Sequence, residues 1–135
     1  MGRFCLYAEK VMKLTTIKNF KKTLSKFTTG VTVVCIENNG KIIGKTVNSF
    51  NSLSLNPPLI LFSLGNYSSS IKSFLNSKYL TINILSKKQK NISNHFSQKK
   101  QDNKKIEFIK SDFNTFFIPG CIGYLQCKLE DKIKK

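Results

Sequence analysis

The stretch "VTVVCIENNGKIIGKTV", residues 31–47, decides the fold because it joins two β-rich runs through a tight-turn dipeptide. Val, Ile and Thr dominate both runs, as they do in strands. Asn39-Gly40 separates the runs, and this pair is preferred in two-residue type I′ turns because both central residues need positive φ. The stretch therefore predicts an antiparallel β-hairpin.

Further elements extend outward from this hairpin. Short apolar or alternating runs predict strands, and serines followed by apolar residues at three- and four-residue steps predict helix starts. Ser86 with Gln89 three residues later is a capping-box pattern, and the helix behind it contains Ile92 and Phe96. The predicted elements are strands at 59–64, 79–85 and 121–129, and helices near 16–27, from 68–70 and from 86.

About five strands with two or three helices indicate a mainly β, α+β fold, a small barrel with helical decoration rather than a doubly wound parallel sheet. The 135 residues, 40% of them hydrophobic, suit one domain with its own core. Residues 1–12 read as a loose leader, and residues 13–135 as the domain.

The charge is strongly basic, +16 at pH 7, but Arg3 is the only arginine among 23 basic residues. Proteins that read bases rely on the planar fork of arginine, which lysine lacks. A codon bias toward Lys, Asn and Ile accounts for the charge more simply than a nucleic-acid partner. Binding of a polyanion through the basic tract 87–110 stays open as an alternative.

The four cysteines show neither a C-x-x-C pair nor zinc spacing. Cys35 and Cys127 lie within apolar strand patterns, which favours buried free thiols. No convincing signal peptide and no apolar run of ~20 residues is present, so we expect a cytoplasmic protein without a membrane span.

Conventional catalytic sets are missing from the sequence. His95 is the only histidine and lies on a lysine-rich helix, where a solvated residue is the simpler interpretation. No metalloprotease, phosphate-loop or dinucleotide-binding motif occurs. The residues therefore identify no catalytic side chain and no metal site.

Short polar side chains are concentrated instead in "KTVNSFNSLSLNPP", residues 45–58. Hydroxyls and amides offer donors and acceptors without bulk, which suits a flat ring edged by carbonyls and nitrogens. A second cluster, "NYSSS" at 66–70, stands at a predicted helix start, where an anion is favoured. The alternative interpretation is an ordinary Ser/Asn loop followed by a helix cap.

Together with "TTGVTVV" (28–34), "LTINIL" (80–85) and "ISNHF" (92–96), the segment 46–74 resembles the flavin reductase-like family, in order from about Phe20 to Leu129. The resemblance implies an FMN-binding split β-barrel that passes a hydride from NAD(P)H to FMN or FAD. It also implies a homodimer that supplies reduced flavin to a separate monooxygenase.

By position, the resemblance implies that successive parts of this segment bind the ring edge of the flavin, its ribityl and ring oxygens, and its phosphate. The implied cofactor-binding residues are Thr46, Val47, Asn48 and Ser49 at the ring, Ser52 and Ser54 at ring or ribityl oxygens, Ser68 and Ser69 at the phosphate, and Asn83 on a later strand. Phe50, Leu53 and Leu55 are expected in the core.

The sequence differs from the family pattern in two places. Asn66 and Tyr67 stand where the family usually has a basic residue, and Lys45 or Lys72 would replace it. The Gly-Asp-His segment and a further barrel strand do not follow residue 129, so we expect a split barrel incomplete at its C-terminus. The alternative function is an inactive flavin-binding, or haem-binding, split-barrel module, or a truncated gene product.

Overall fold

The predicted hairpin is present in the computed structural model, which describes residues 30–65 and 70–133. Strands β1 (Thr32–Asn38) and β2 (Lys41–Val47) pair antiparallel over their whole length. Asn39 and Gly40 have φ values of 52° and 77°, so the positive φ that a type I′ turn requires is observed at both positions.

The hairpin forms half of a four-stranded antiparallel sheet. Its order is β2-β1-β5-β8, with β5 at Tyr79–Ile84 and β8 at Gly123–Lys128. The strands predicted at 79–85 and 121–129 are thus confirmed. In the second of these, Cys127 is buried and Tyr124 is exposed, as the alternating pattern requires.

Two small sheets accompany the main one, each of two antiparallel strands. They are formed by β3 (Asn51–Leu55) with β4 (Pro58–Leu61), and by β6 (Ile109–Lys110) with β7 (Phe116–Phe117). The described residues therefore contain eight strands, and the prediction of about five was too low. Two-residue strands are too short to show any periodicity, and β3 is so polar that it resembled a loop.

Within the described ranges two short α-helices lie on the sheet, α1 (Ile71–Asn76) and α2 (Lys90–Ser97), with a 3₁₀ turn at Lys87–Gln89 leading into α2. The Ser86 backbone N–H donates to Gln89 Oε1 at 2.9 Å, so the predicted capping box is confirmed at this turn. The helix predicted near 16–27 and the leader at 1–12 lie outside the described residues. None of the described helices is long and apolar enough to cross a membrane.

Apolar clusters cover both faces of the main sheet because neighbouring β1 residues point to opposite sides. Val34 and Ile36 belong to one cluster, which includes residues of β4 and α1. Val33 and Cys35 belong to the other, which includes Phe96 of α2. The hairpin β3–β4 and α1 thus lie on one face of the sheet, and α2 lies on the other.

The expected core positions on β3 were wrong. Leu53 is 42% exposed and Leu55 is 89% exposed, whereas Phe50 packs against the first cluster. Within the described residues β3 pairs with β4 alone, and a register irregularity falls between Ser52 and Ser54. A two-stranded ribbon at the edge of the molecule cannot bury both of its faces, so the leucines stay accessible.

Candidate functional site

The candidate site begins where β2 ends. Thr46 Oγ1 donates to the Ser93 carbonyl at 2.6 Å and so joins β2 to α2. The Val47 side chain is buried, and the Val47 carbonyl accepts a hydrogen bond from Thr32 Oγ1 at 3.0 Å. These two predicted site residues therefore hold the end of β2 in place, and Thr46 retains oxygen lone pairs as acceptors.

A hydroxyl fixes the segment that follows β2. The Ser63 backbone N–H donates to Ser49 Oγ at 2.9 Å, and Ser49 Oγ lies 3.4 Å from the Ser63 carbonyl, to which it donates. Both contacts join the connection between β2 and β3 to the chain just after β4. Ser49 thus positions Asn48, which is exposed beside it.

The remaining predicted residues of this segment lie on β3. Ser52 is exposed, and its backbone N–H donates to Asn51 Oδ1 at 2.9 Å. Ser54 is partly buried. Asn48, Ser52 and Ser54 together form what we call the polar hairpin surface. Its side chains carry hydroxyl and amide groups, and those of Asn48 and Ser52 are exposed.

Asn83 does not belong to this surface, which corrects the expectation that it contacts a cofactor. Asn83 is 0% exposed. Its Nδ2 donates to the Val33 carbonyl at 3.0 Å, and its Oδ1 accepts from the Ile118 backbone N–H at 2.9 Å. The amide is fully used in joining β5 to β1 and to the chain after β7. Ser68 and Ser69, the predicted phosphate ligands, lie outside the described residues.

A cleft of about 300 Å³ lies between β2, the start of α1 and the segment 99–103. Its outer wall is held by side-chain amides: Gln101 Nε2 donates to the Gly44 carbonyl at 3.0 Å, and Asn103 Nδ2 donates to the Ile42 carbonyl at 2.7 Å. Sequence reasoning missed both residues because they lie 57 and 61 positions from their partners and share no local motif with them.

The sequence analysis favours a solvated His95, but the His95 side chain is partly buried. Its Nε2 lies 2.7 Å from Asn103 Oδ1, and its ring meets the Phe96 ring edge-on at 4.8 Å between centroids. These contacts join α2 to the segment that follows it. The arrangement indicates a structural histidine.

The cysteines are free thiols where they are described, and Cys35 and Cys127 are buried as predicted. Burial raises the pKa of Cys127 to about 11. Burial also raises the pKa of Cys35, with a further rise from nearby Cys121, whose own pKa is raised by burial. Thiols of this kind remain protonated near neutral pH and are poor nucleophiles. Within the described ranges no group of three or more His, Cys, Asp or Glu residues could hold a metal ion.

Comparison with known proteins places this geometry in a family. Residues 24–134 match the model of the flavin reductase like domain. The chain is 35% identical over 111 residues to the FMN reductase (NADH) SmoA of Agrobacterium fabrum, covering 82% of this chain and 64% of that protein. It is 34% identical over 113 residues to the reductase component of the flavin-dependent trigonelline monooxygenase of Acinetobacter baylyi, covering 82% of this chain and 36% of that protein.

The solved structures agree with this assignment. The structure superposes on that of the flavin reductase PheA2 with a TM-score of 0.81 and 30% identity, covering 90% of this chain and 78% of that one. The predicted α+β fold of the split-barrel type is thereby confirmed. The chain spans between about a third and two thirds of the length of the two curated relatives. Family model, relatives and fold agree: this chain belongs to the flavin reductase like domain family.

Proposed function

We propose that this chain binds FMN or FAD and transfers a hydride to it from NADH or NADPH. The observation that supports this most directly is the polar hairpin surface of Asn48, Ser52 and Ser54 in a chain of the flavin reductase like domain family, where Asn48 and Ser52 are exposed and Ser54 is partly buried. The flavin supplies the hydride-accepting chemistry, and the protein supplies binding and orientation.

The side chains at the candidate site fit such a ring. An isoalloxazine edge alternates acceptors with a donor, and hydroxyl and amide groups can serve as either partner. We propose direct contacts from Asn48, Ser52 and Ser54, whereas Thr46 and Ser49 position the segment through Ser93 and Ser63. Ser68 and Ser69 remain the proposed phosphate ligands, and Val47 contributes shape through its packing.

We further propose that the reduced flavin serves a separate monooxygenase in the cytoplasm. The Acinetobacter baylyi relative is named as the reductase component of a monooxygenase, which supports a partner of this kind. The described cysteines, all free thiols, agree with a reducing compartment. We also propose a homodimer, since the exposed Leu53 and Leu55 are apolar surface that a second copy would cover.

The test is NAD(P)H oxidation by the purified chain, followed at 340 nm with FMN, FAD or no flavin. We expect flavin-dependent oxidation and a loss of about tenfold in FMN affinity in Asn48→Ala/Ser52→Ala, because two hydrogen bonds are removed. Asn91→Ala, an exposed change on α2, is the control and leaves both readouts unchanged.

The outcomes separate this proposal from its alternatives. Flavin binding without oxidation would support the inactive flavin-binding module, and an absorption band of bound haem would support the haem-binding form. Absence of flavin binding by the wild-type chain would end the proposal.

A further inference from the structure

Strand β2 lies at the edge of the main sheet, where a strand normally presents unpaired backbone groups. Within the described residues it pairs with β1 alone. Successive residues of an antiparallel pair direct their backbone groups alternately toward and away from the partner strand. The pair Asn38–Lys41 flanks the two-residue turn, so the backbone groups of Ile42, Gly44 and Thr46 point away from β1. These groups form the outer edge of the sheet.

Side-chain amides bind to this edge. Gln101 Nε2 donates to the Gly44 carbonyl at 3.0 Å, and Asn103 Nδ2 donates to the Ile42 carbonyl at 2.7 Å. The donors advance by two residues while the acceptors go back by two, which is the register of antiparallel strands. We call residues 101–103 the amide strap. The amide strap is thus bonded to β2 in the register that an added strand would have.

The amide strap differs from a strand in the groups that make these two bonds. It bonds to β2 through side chains, whereas a strand bonds through its backbone. A strand added through its backbone would present a new row of unpaired N–H and C=O groups on its far side. Side-chain amides satisfy the β2 carbonyls without creating such a row, so the sheet can end at β2.

The C-terminal end of α2 holds the amide strap in position. Gln101 Nε2 also lies 3.3 Å from the Phe96 carbonyl and 3.1 Å from the Gln98 carbonyl. Asn103 Oδ1 lies 2.7 Å from His95 Nε2. Because Asn103 Nδ2 donates to β2, the oxygen of the same amide faces His95, and His95 Nε2 must carry the hydrogen. Both amides of the strap therefore connect the β2 edge to α2.

The sequence of β2 would make an uncovered edge prone to pairing. The strand reads KIIGKTV, and four of its seven residues are β-branched, a type that is enriched in strands. An exposed edge of this kind is a template for a strand of another chain. Lys41 and Lys45 add repulsion between two such edges, but the strand contains no proline that would interrupt pairing.

We propose that the amide strap prevents strand addition at β2, and that the strand it keeps out is β2 of a second copy of this chain. Two β2 edges can pair antiparallel about a two-fold axis, because the same backbone groups then face each other. The Ile42 and Gly44 carbonyls would accept from the other copy instead of from the strap. This contact differs from the proposed dimer contact through Leu53 and Leu55, which lie on β3. The inference does not depend on flavin binding.

The experiment measures binding of a fluorescein-labelled peptide with the β2 sequence, KIIGKTV, to the full chain by fluorescence anisotropy. We expect Gln101→Ala/Asn103→Ala to bind the peptide at least tenfold more tightly than the wild type does, because two backbone carbonyls become available. The same variant forms species larger than the wild-type protein in size-exclusion chromatography with light scattering. The single variants each give part of the gain, and they carry the test if circular dichroism shows the double variant to be unfolded.

Two controls separate an open edge from a general loss of stability. Asn94→Ala/Gln98→Ala removes exposed amides of the same two types near the amide strap, and we expect it to leave peptide affinity unchanged. Asn83→Ala removes buried hydrogen bonds on β5, which β1 separates from β2. This variant is less stable but keeps the strap, so it should bind the peptide no more tightly than the wild type does.

Three outcomes would contradict the proposal. Equal peptide affinity in the wild type and in Gln101→Ala/Asn103→Ala would show that the amide strap does not keep strands away from β2. Equal gains in that variant and in Asn83→Ala would assign the effect to lost stability. Peptide binding without any larger species would show that the strand kept out is not β2 of a second copy.

Discussion

Asn83 illustrates how a polar residue in a strand can serve the fold instead of a ligand. Its amide satisfies the Val33 carbonyl and the Ile118 N–H in a region without exposed surface. Removing one partner of a buried hydrogen bond leaves the other group desolvated and unsatisfied, which costs more than the bond itself contributes.

We therefore expect Asn83→Ala to lower the free energy of unfolding by about 2–4 kcal/mol, since two buried backbone groups lose their partner. Urea unfolding followed by circular dichroism measures this change. Asn91→Ala, an exposed control on α2, should stay within about 0.5 kcal/mol of the wild type. Equal stability of the two variants would contradict the structural role of Asn83.

The buried thiols make stability depend on alkaline pH. In the unfolded chain a cysteine ionises near pH ~8.5, but burial raises the pKa of Cys127 to about 11 in the folded protein. The folded state therefore binds more protons between these values, so stability falls as pH rises through them. Cys127→Ala should make the free energy of unfolding decline less between pH 8 and pH 10. An unchanged decline would argue against the raised pKa.

The packing of strand β2 against helix α2 depends on a close contact between Gly44 and Phe96 that only glycine allows. A Cβ at Gly44 would lie 2.4 Å from Phe96 Cδ1, and Phe96 is fully buried against the sheet. We expect Gly44→Ala to lower the free energy of unfolding by about 1–3 kcal/mol through overpacking. Gly30→Ala, where an added Cβ meets none of the described residues within 4 Å, is the control in the same denaturation assay.

A second change tests the cause of that loss. Phe96→Leu removes the ring that the added methyl group would strike, so it should recover part of the stability lost in Gly44→Ala. Strictly additive effects of the two changes would show that the methyl group and the ring do not interact.

The β3–β4 hairpin shows where element prediction failed. Leu53 and Leu55, which alternate with Ser52 and Ser54, are expected in the core, but both leucines are exposed. The strand pairs with β4 alone among the described residues, and its register is irregular. Alternation of apolar and polar residues shows that the two faces of a strand differ in polarity. It does not show whether another element of the same chain covers either face.

For the whole molecule, the exposed leucines lead to a prediction about assembly. If a second copy covers them, the wild-type chain sediments at about twice 15.4 kDa. Leu55→Asp then shifts the protein toward monomer in analytical ultracentrifugation, because a charge enters an apolar contact. Asn56→Asp places the same charge on the neighbouring exposed residue and keeps the dimer. A wild-type monomer at micromolar concentration would contradict the proposed dimer.

At the scale of the molecule, sequence and tertiary structure determined different things. The sequence alone determined the Asn39-Gly40 hairpin, the strands at 79–85 and 121–129 and the capping box at Ser86, since positive φ, periodicity and capping are local properties. Family membership also followed from motif order.

Tertiary structure decided which polar groups remain available to a ligand. Thr46, Ser49 and Asn83 looked alike in the sequence, yet each is bonded to backbone groups far along the chain. The cleft between β2, the start of α1 and the segment 99–103 likewise combines Lys45 of β2 with Lys99. Which polar groups find a hydrogen-bond partner, and which charged residues come close together, depends on the segments that fold against one another. No local sequence pattern encodes that choice.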